Sequence, residues 1–112
     1  MAKSRRRITM AKVYNMESPR SGREVANQFV IEAGREVVFQ SYRSVCAIYN
    51  RDTKTLTLGE DWNRSMTTRK YFWQFVRNYL PYYWDIDLKE LRSRIASGEV
   101  KVLNNREIEA AA

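Results

Sequence analysis

The chain has 112 residues, of which 44% are hydrophobic, and it carries 20 Lys and Arg against 13 Asp and Glu, a formal net charge of +7. A chain of this length and composition forms one small globular domain that buries roughly two-thirds of its unfolded surface. The sequence has no His and a single Cys, Cys46. This excludes a Cys/His zinc site, a Ser-His-Asp triad and an intrachain disulfide built from this chain alone.

The same features predict a cytoplasmic protein that uses no cofactor or metal. No apolar run approaches the roughly 20 residues that span a bilayer, so no membrane association is expected. The basic N-terminus is not followed by the apolar stretch of a signal peptide, and a lone thiol suits a reducing compartment. The four glycines stand singly, without the spacing of a phosphate-binding loop. Cys46 is expected to be a small buried hydrophobe.

Residues 1–23 are predicted to form a flexible basic arm, since they hold seven Lys and Arg residues against Glu17 alone. Met-Ala-Lys occurs at positions 1 and 10, so Met10 is an alternative start that removes four of these cations. Clustered Arg side chains suit phosphates, because each guanidinium offers bidentate donors. The alternative is a solubilising tail. The arm residues predicted to bind nucleic acid are Arg5, Arg6, Arg7 and Lys12.

Residues 24–103 are predicted to form one α+β domain that begins with a three-stranded antiparallel β-meander. β-Branched and aromatic residues favour a first strand around 29–31 and a second that begins at 37. The apolar alternation of the second strand continues to 49, with a bulge or break expected at 40–44. Leucines alternating with threonines indicate a third strand over 55–59.

The first of two predicted helices begins at Ser65 or Thr67 and ends at Leu80, because Pro81 cannot continue a helix. An apolar stripe at helical spacing is expected to face the sheet: Phe72, Phe75, Val76, Tyr79 and Leu80. The segment 64–80 contains no acidic residue. The helical spacing places Lys70, Gln74 and Arg77 on the side opposite the apolar stripe. The cations of the segment, all predicted to bind nucleic acid, are Arg64, Arg69, Lys70 and Arg77.

The second predicted helix begins at Asp87, whose spacing to Glu90 is that of a capping box, and it stops at Gly98. A short C-terminal strand is expected within 99–103. Residues 104–112 are expected to be a loose tail.

Aromatic residues are concentrated around the first helix, since nine of the 14 lie between positions 62 and 84. A domain this small cannot bury all of them. Rings interleaved with cations either stack on bases, at about 1–3 kcal/mol per base, or anchor a protein interface. The residues predicted to serve as stacking or interface contacts are Tyr71, Trp73, Tyr82, Tyr83 and Trp84.

One catalytic alternative comes from acidic residues near the C-terminus. Asp85 or Asp87, followed by Glu99 and Lys101, gives the D…E-x-K arrangement that holds a divalent metal in some nucleases. The pattern is short enough to arise by chance. Asp87 is better explained as a helix cap, and Glu99 with Lys101 as the solvated face of a strand. We therefore predict that the protein is not an enzyme.

Three blocks of the sequence resemble a family of short phage and prophage proteins of uncharacterised function. They are SPRSGREVANQFVI at 18–31, FQSYRSVCA at 39–47 and WNRSMTTRKYFWQFV at 62–76. The resemblance extends over about residues 13–80 and carries no active site. It implies a small viral accessory protein that acts inside a bacterium, where such proteins bind nucleic acid or block a host machine.

The sequence thus predicts non-enzymatic binding of DNA or RNA through the arm and the basic, aromatic helix. The alternative is an inhibitor that binds a bacterial host protein complex or defence system, as an anti-CRISPR protein does, with the aromatic cluster as its interface. The oligomeric state is left open, because an open sheet has edges that can pair while no coiled-coil heptad is present.

Overall fold

The computed structural model describes residues 11–112, which form one mixed sheet and three helices. The strands are β1 (Lys12–Glu17), β2 (Glu24–Ala33), β3 (Glu36–Ser41), β4 (Ser44–Asn50), β5 (Thr55–Gly59) and β6 (Lys101–Leu103). The helices are α1 (Met66–Tyr79), α2 (Leu88–Ala96) and α3 (Asn105–Ala111). The strands lie in sequence order; β1 to β5 are antiparallel, and β6 is parallel to β5. The α+β class is confirmed, and β6 lies within the predicted C-terminal strand at 99–103. The antiparallel part of the sheet has five strands where a three-stranded meander was predicted, and there are three helices where two were predicted.

The main core lies between one face of the sheet and the helices α1 and α2. Side chains alternate across a strand, so every second residue of β2 to β5 points toward these helices. Phe75 of α1 stacks on Phe39 of β3 with 5.6 Å between the ring centroids. The strand residues in this core are Val30, Val37, Phe39, Ala47, Tyr49, Leu56 and Leu58. The helical residues Phe72, Phe75, Val76, Leu80 and Leu91 are also buried there. The predicted apolar stripe of the first helix therefore faces the sheet, with its fifth member, Tyr79, half-buried against the core.

Strand β1 lies inside the segment predicted to be a flexible arm. It pairs with β2 from Lys12 opposite Glu32 to Glu17 opposite Glu24, with a bulge near Met16. Only Met16 of its six residues is buried. An edge strand held mainly by backbone hydrogen bonds leaves little hydrophobic pattern in the sequence, which explains why it was not predicted.

The second predicted strand is two strands, β3 and β4, joined by a tight turn. Ser41 pairs with Ser44, so that only Tyr42 and Arg43 form the loop. Tyr42 adopts a left-handed conformation with φ of 55°. Such turns usually carry Gly, Asn or Asp, and their absence made the break ambiguous from sequence. Beyond the turn, Cys46 is completely buried, as predicted.

Helix α3 occupies the segment predicted to be a loose tail. Asn104 and Glu107 form a capping box, each side chain bonding the other residue's backbone N–H. Ile108 is fully buried on the face of the sheet opposite α1. The residues that it joins there are Val38, Val45 and Ile48. Because Ile108 is the one buried residue of α3, helical periodicity gave no signal.

The predicted helix ends agree with the structure. Ser65 caps α1 by accepting a hydrogen bond from the backbone N–H of Thr68, and Leu80 is its C-cap. Asp87 caps α2 by accepting from Glu90, and Gly98 follows its C-cap with φ of 87°. None of the helices within residues 11–112 has the length and apolar character to cross a membrane.

Candidate nucleic-acid interface

The outward face of α1 carries three cations and one aromatic ring that we call the basic stripe: Arg69, Lys70, Trp73 and Arg77. Their spacing places them on the side of the helix opposite the buried Phe72 and Phe75. The three cations are exposed, and Trp73 is half-buried at the edge of the core. The helical spacing had predicted this outward orientation for Lys70 and Arg77, and Arg69 lies beside them.

No cation of the basic stripe forms an ion pair with a carboxylate among residues 11–112; the five ion pairs there involve Arg35, Arg51, Arg64 and Arg94. Aromatic rings position two of the stripe cations instead. The Arg77 guanidinium lies 5.6 Å from the centre of the Trp73 ring and donates to the Trp73 carbonyl. The Lys70 ammonium lies 5.3 Å from the ring of Tyr71. The charges are therefore held near the helix surface without being neutralised.

Arg64, predicted to contact phosphate, has a carboxylate partner. Its guanidinium donates to Asp61 at 3.2 Å. The same Asp61 oxygen accepts hydrogen bonds from the Ser44 hydroxyl and the Asn105 amide. Burial favours the protonated acid, but these three donors hold the pKa of Asp61 below its ordinary value. Arg64 is thus paired with a carboxylate of the chain itself, and we do not include it in the basic stripe.

Two of the aromatic residues predicted to stack on bases or anchor an interface are buried, which corrects their assignment. Tyr71 is 5% exposed and Tyr83 is 2% exposed, and both belong to the main core. The Tyr83 hydroxyl donates to Glu99, and burial together with this acidic acceptor raises the pKa of Tyr83 to about 12. Trp73 packs edge-on against Phe72, and Arg77 lies over its ring. Neither Tyr71 nor Tyr83 presents a ring to solvent.

The remaining predicted aromatics lie on the connection between α1 and α2. Tyr82 is 55% exposed and Trp84 is 60% exposed, and Leu88, the first residue of α2, is 41% exposed. We call these three residues the aromatic patch. Asp85 and Asp87 lie within the same stretch of chain, so the patch has an acidic setting unlike that of the basic stripe.

Of the predicted phosphate contacts in the arm, Lys12 lies within the described residues. Lys12 is exposed on the edge strand β1, whereas α1 packs over β2 and β3. Arg5, Arg6 and Arg7 lie outside the described residues.

Two buried hydroxyls that position α1 were not singled out from the sequence. Ser41 of β3 and Thr68 of α1 share a hydrogen bond of 2.9 Å beneath the first turn of the helix. The N-cap Ser65 also donates to the Thr68 hydroxyl. Only the pairing of β3 with α1 reveals this contact, because the residues are far apart in sequence.

Two residues of the nuclease alternative, Asp87 and Glu99, have structural partners. Asp87 caps α2, and Glu99 accepts hydrogen bonds from Tyr83 and Arg94. Within residues 11–112, no group of three or more Cys, Asp or Glu side chains is arranged to hold a metal ion.

Comparison with known proteins identifies a family. No curated protein and no solved structure matches the chain. A family model described as a family of unknown function, DUF8033, matches residues 11–82, which include β1 to β5 and the whole of α1. Since this match spans more than half of the sequence, the chain belongs to the family of unknown function DUF8033.

Proposed function

We propose that the protein binds nucleic acid without catalysis, through phosphate contacts from the basic stripe. The observation that carries this proposal is that α1 presents three exposed cations on one face and contains no acidic residue. Arg35, Arg51, Arg64 and Arg94 are paired with carboxylates. Arg69, Lys70 and Arg77 are exposed side by side and have no such partner within residues 11–112. A row of unneutralised cations attracts a polyanion and releases its condensed counterions.

The length of the basic stripe suits a nucleic-acid backbone. At 1.5 Å per residue, positions 69 to 77 extend about 12 Å along the helix axis. One strand of duplex DNA advances about 3.4 Å per nucleotide along the helix axis, so the stripe has the length of an axial rise of three or four nucleotides.

The chemistry of the basic stripe favours backbone contacts over base recognition. Trp73 is half-buried and Arg77 lies across its ring, which leaves little free aromatic surface for stacking on a base. Cations that contact phosphates position a protein on nucleic acid without reading its sequence. We therefore expect weak dependence on base sequence.

The test is a salt titration of binding to short labelled duplexes and single strands, followed by fluorescence anisotropy. Arg69, Lys70 and Arg77 are replaced together by Gln. If each cation contacts one duplex phosphate, the loss of all three makes the slope of log affinity against log salt shallower by about 2.7. The matched control replaces three exposed cations elsewhere, Lys89, Arg92 and Arg106, and should retain binding. Equal affinity and slope for the two variants would contradict the proposal.

The resemblance to phage and prophage proteins supports the setting that we infer for this activity. We infer a viral accessory protein that acts in the cytoplasm of a bacterium, where nucleic acid is an abundant target.

A second candidate function rests on the aromatic patch. Exposed Trp and Tyr residues are common energetic anchors of protein interfaces. The neighbouring carboxylates of Asp85 and Asp87 disfavour a polyanion at this place, so the patch suits a protein partner. This candidate is an inhibitor of a bacterial host complex or defence system.

Pull-down from bacterial lysate with and without nuclease separates the two candidates. Capture that survives nuclease and is lost in Trp84→Ala supports the aromatic patch. Met66→Ala is the matched control, since Met66 is 79% exposed and lies outside the patch. Capture that disappears with nuclease points instead to nucleic acid.

A further inference from the structure

We propose that two copies of the protein associate through their β1 strands, which pair antiparallel and join two sheets into one. The association goes beyond nucleic-acid binding and does not depend on it. It follows from the outer edge of β1, the charges at the two ends of this strand and an acidic cleft beside it.

Among residues 11–112, no strand covers the outer edge of β1. The inner edge of β1 bonds β2. The strand has six residues and no Pro, and it exposes 63% of Val13 and 40% of Tyr14. Open backbone N–H and C=O groups on such an edge form a template for another strand. The opposite edge, β6, has only three residues, and short edge strands discourage pairing.

The charges of β1 make the strand complementary to itself in the antiparallel direction. Lys12 lies at its start and Glu17 at its end. An antiparallel pair centred on Tyr14 sets Lys12 of one copy opposite Met16 of the other, next to Glu17. The two-fold symmetry of such a pair repeats this contact at the opposite end. A parallel pair would place like charges side by side, which destabilises a sheet.

An acidic cleft next to this edge provides a place for the incoming lysine. The cleft has a volume of about 420 Å³ and lies between β1 and the last turns of α1. Glu17 and Glu24 are its charged lining residues, and no Lys or Arg lines it. Burial raises the pKa of Tyr79 in the cleft wall, and the negative charges of Glu32 and Glu17 raise it further. The surroundings therefore favour an added positive charge.

A charge exchange tests the pairing by sedimentation equilibrium on nuclease-treated protein. We expect the unmodified chain to dimerise. Lys12→Glu or Glu17→Lys each replaces two attractive contacts by repulsive ones and should weaken dimerisation about tenfold. The double variant Lys12→Glu/Glu17→Lys restores opposite charges and should recover the dimer. Circular dichroism verifies that each variant is folded.

Three outcomes would overturn the proposal. The first is an unmodified chain that stays monomeric at high concentration. The second is a dimer that neither single variant weakens. The third is a double variant that dimerises no better than the single variants.

A chain starting at Met10 is measured in parallel. If it dimerises while the full chain does not, the preceding residues occupy the edge, and the proposal also fails.

Discussion

Asp61 connects three segments that are distant in sequence. Its carboxylate accepts hydrogen bonds from Ser44 in β4, from Arg64 before α1 and from Asn105 in α3. Sequence inspection did not single out Asp61, because its partners come from elements that only the folded chain brings together. A single side chain thus ties the sheet to helices on both of its faces.

Replacing Asp61 by Ala should lower the free energy of unfolding at neutral pH by about 2 kcal/mol, since three hydrogen bonds to a charged group are lost and two half-buried donors, Ser44 and Asn105, are left unpaired. Urea unfolding measures the change. The matched control is Asp85→Ala, which removes an exposed carboxylate and should have little effect. Equal losses in the two variants would contradict the assigned role.

The lowered pKa of Asp61 also has a consequence for stability at acidic pH. A carboxyl whose pKa is lower in the folded state stabilises the protein above its unfolded pKa of about 3.9 and loses this effect as the pH falls through the folded value. The advantage of the unmodified chain over Asp61→Ala should therefore shrink below about pH 4.

At the scale of elements, helix caps were the strongest signals in the sequence. Ser65 and Thr67 were both candidates for the start of α1, and the structure assigns the cap to Ser65. Because Ser65 bonds the backbone N–H and the hydroxyl of Thr68, it also helps orient α1 over β3. The basic stripe depends on this orientation, since the stripe is one face of the same helix.

Ser65→Ala should destabilise the protein by about 1 kcal/mol, the usual effect of removing an N-cap side chain. Thr67→Ala is the control, because Thr67 is exposed and does not cap the helix. Thermal unfolding of both variants provides the comparison. A larger loss for Thr67→Ala would reverse the assignment.

The elements that were predicted and those that were not differ in the sequence pattern that they produce. α1 and α2 combine caps with apolar spacing, so their positions were predicted closely. β1 and α3 bury one residue each, Met16 and Ile108, and depend on backbone pairing and capping for their stability. Such elements leave almost no periodic pattern.

The candidate site was likewise predicted only in part. Helical spacing correctly placed Lys70 and Arg77 outward. It could not show that Arg64 meets Asp61, because that contact lies outside the regular helix. The burial of Tyr83 depends on packing against Tyr49 of the sheet, which no local pattern reveals.

At the scale of the whole molecule, positive charge is divided between the sequence before β1 and the basic stripe. A chain starting at Met10 lacks Lys3, Arg5, Arg6 and Arg7 but keeps α1 unchanged. If both regions bind phosphates, the slope of log affinity against log salt on duplex DNA should be shallower by about 3.6 for this chain. This change adds to the change caused by the stripe variant. Binding in a salt titration that depends on only one of the two regions would contradict this division.

The position of β6 determines when the fold can be completed during synthesis. The hairpins from β1 to β5 join neighbours in sequence, and contacts of this kind form rapidly. β6 must return to β5 after both α1 and α2 have been made, with Lys101 beside Thr57. The N-terminal part of the sheet and α1 can therefore assemble as they leave the ribosome, while β6 and α3 can join the sheet only after both α1 and α2 have been made.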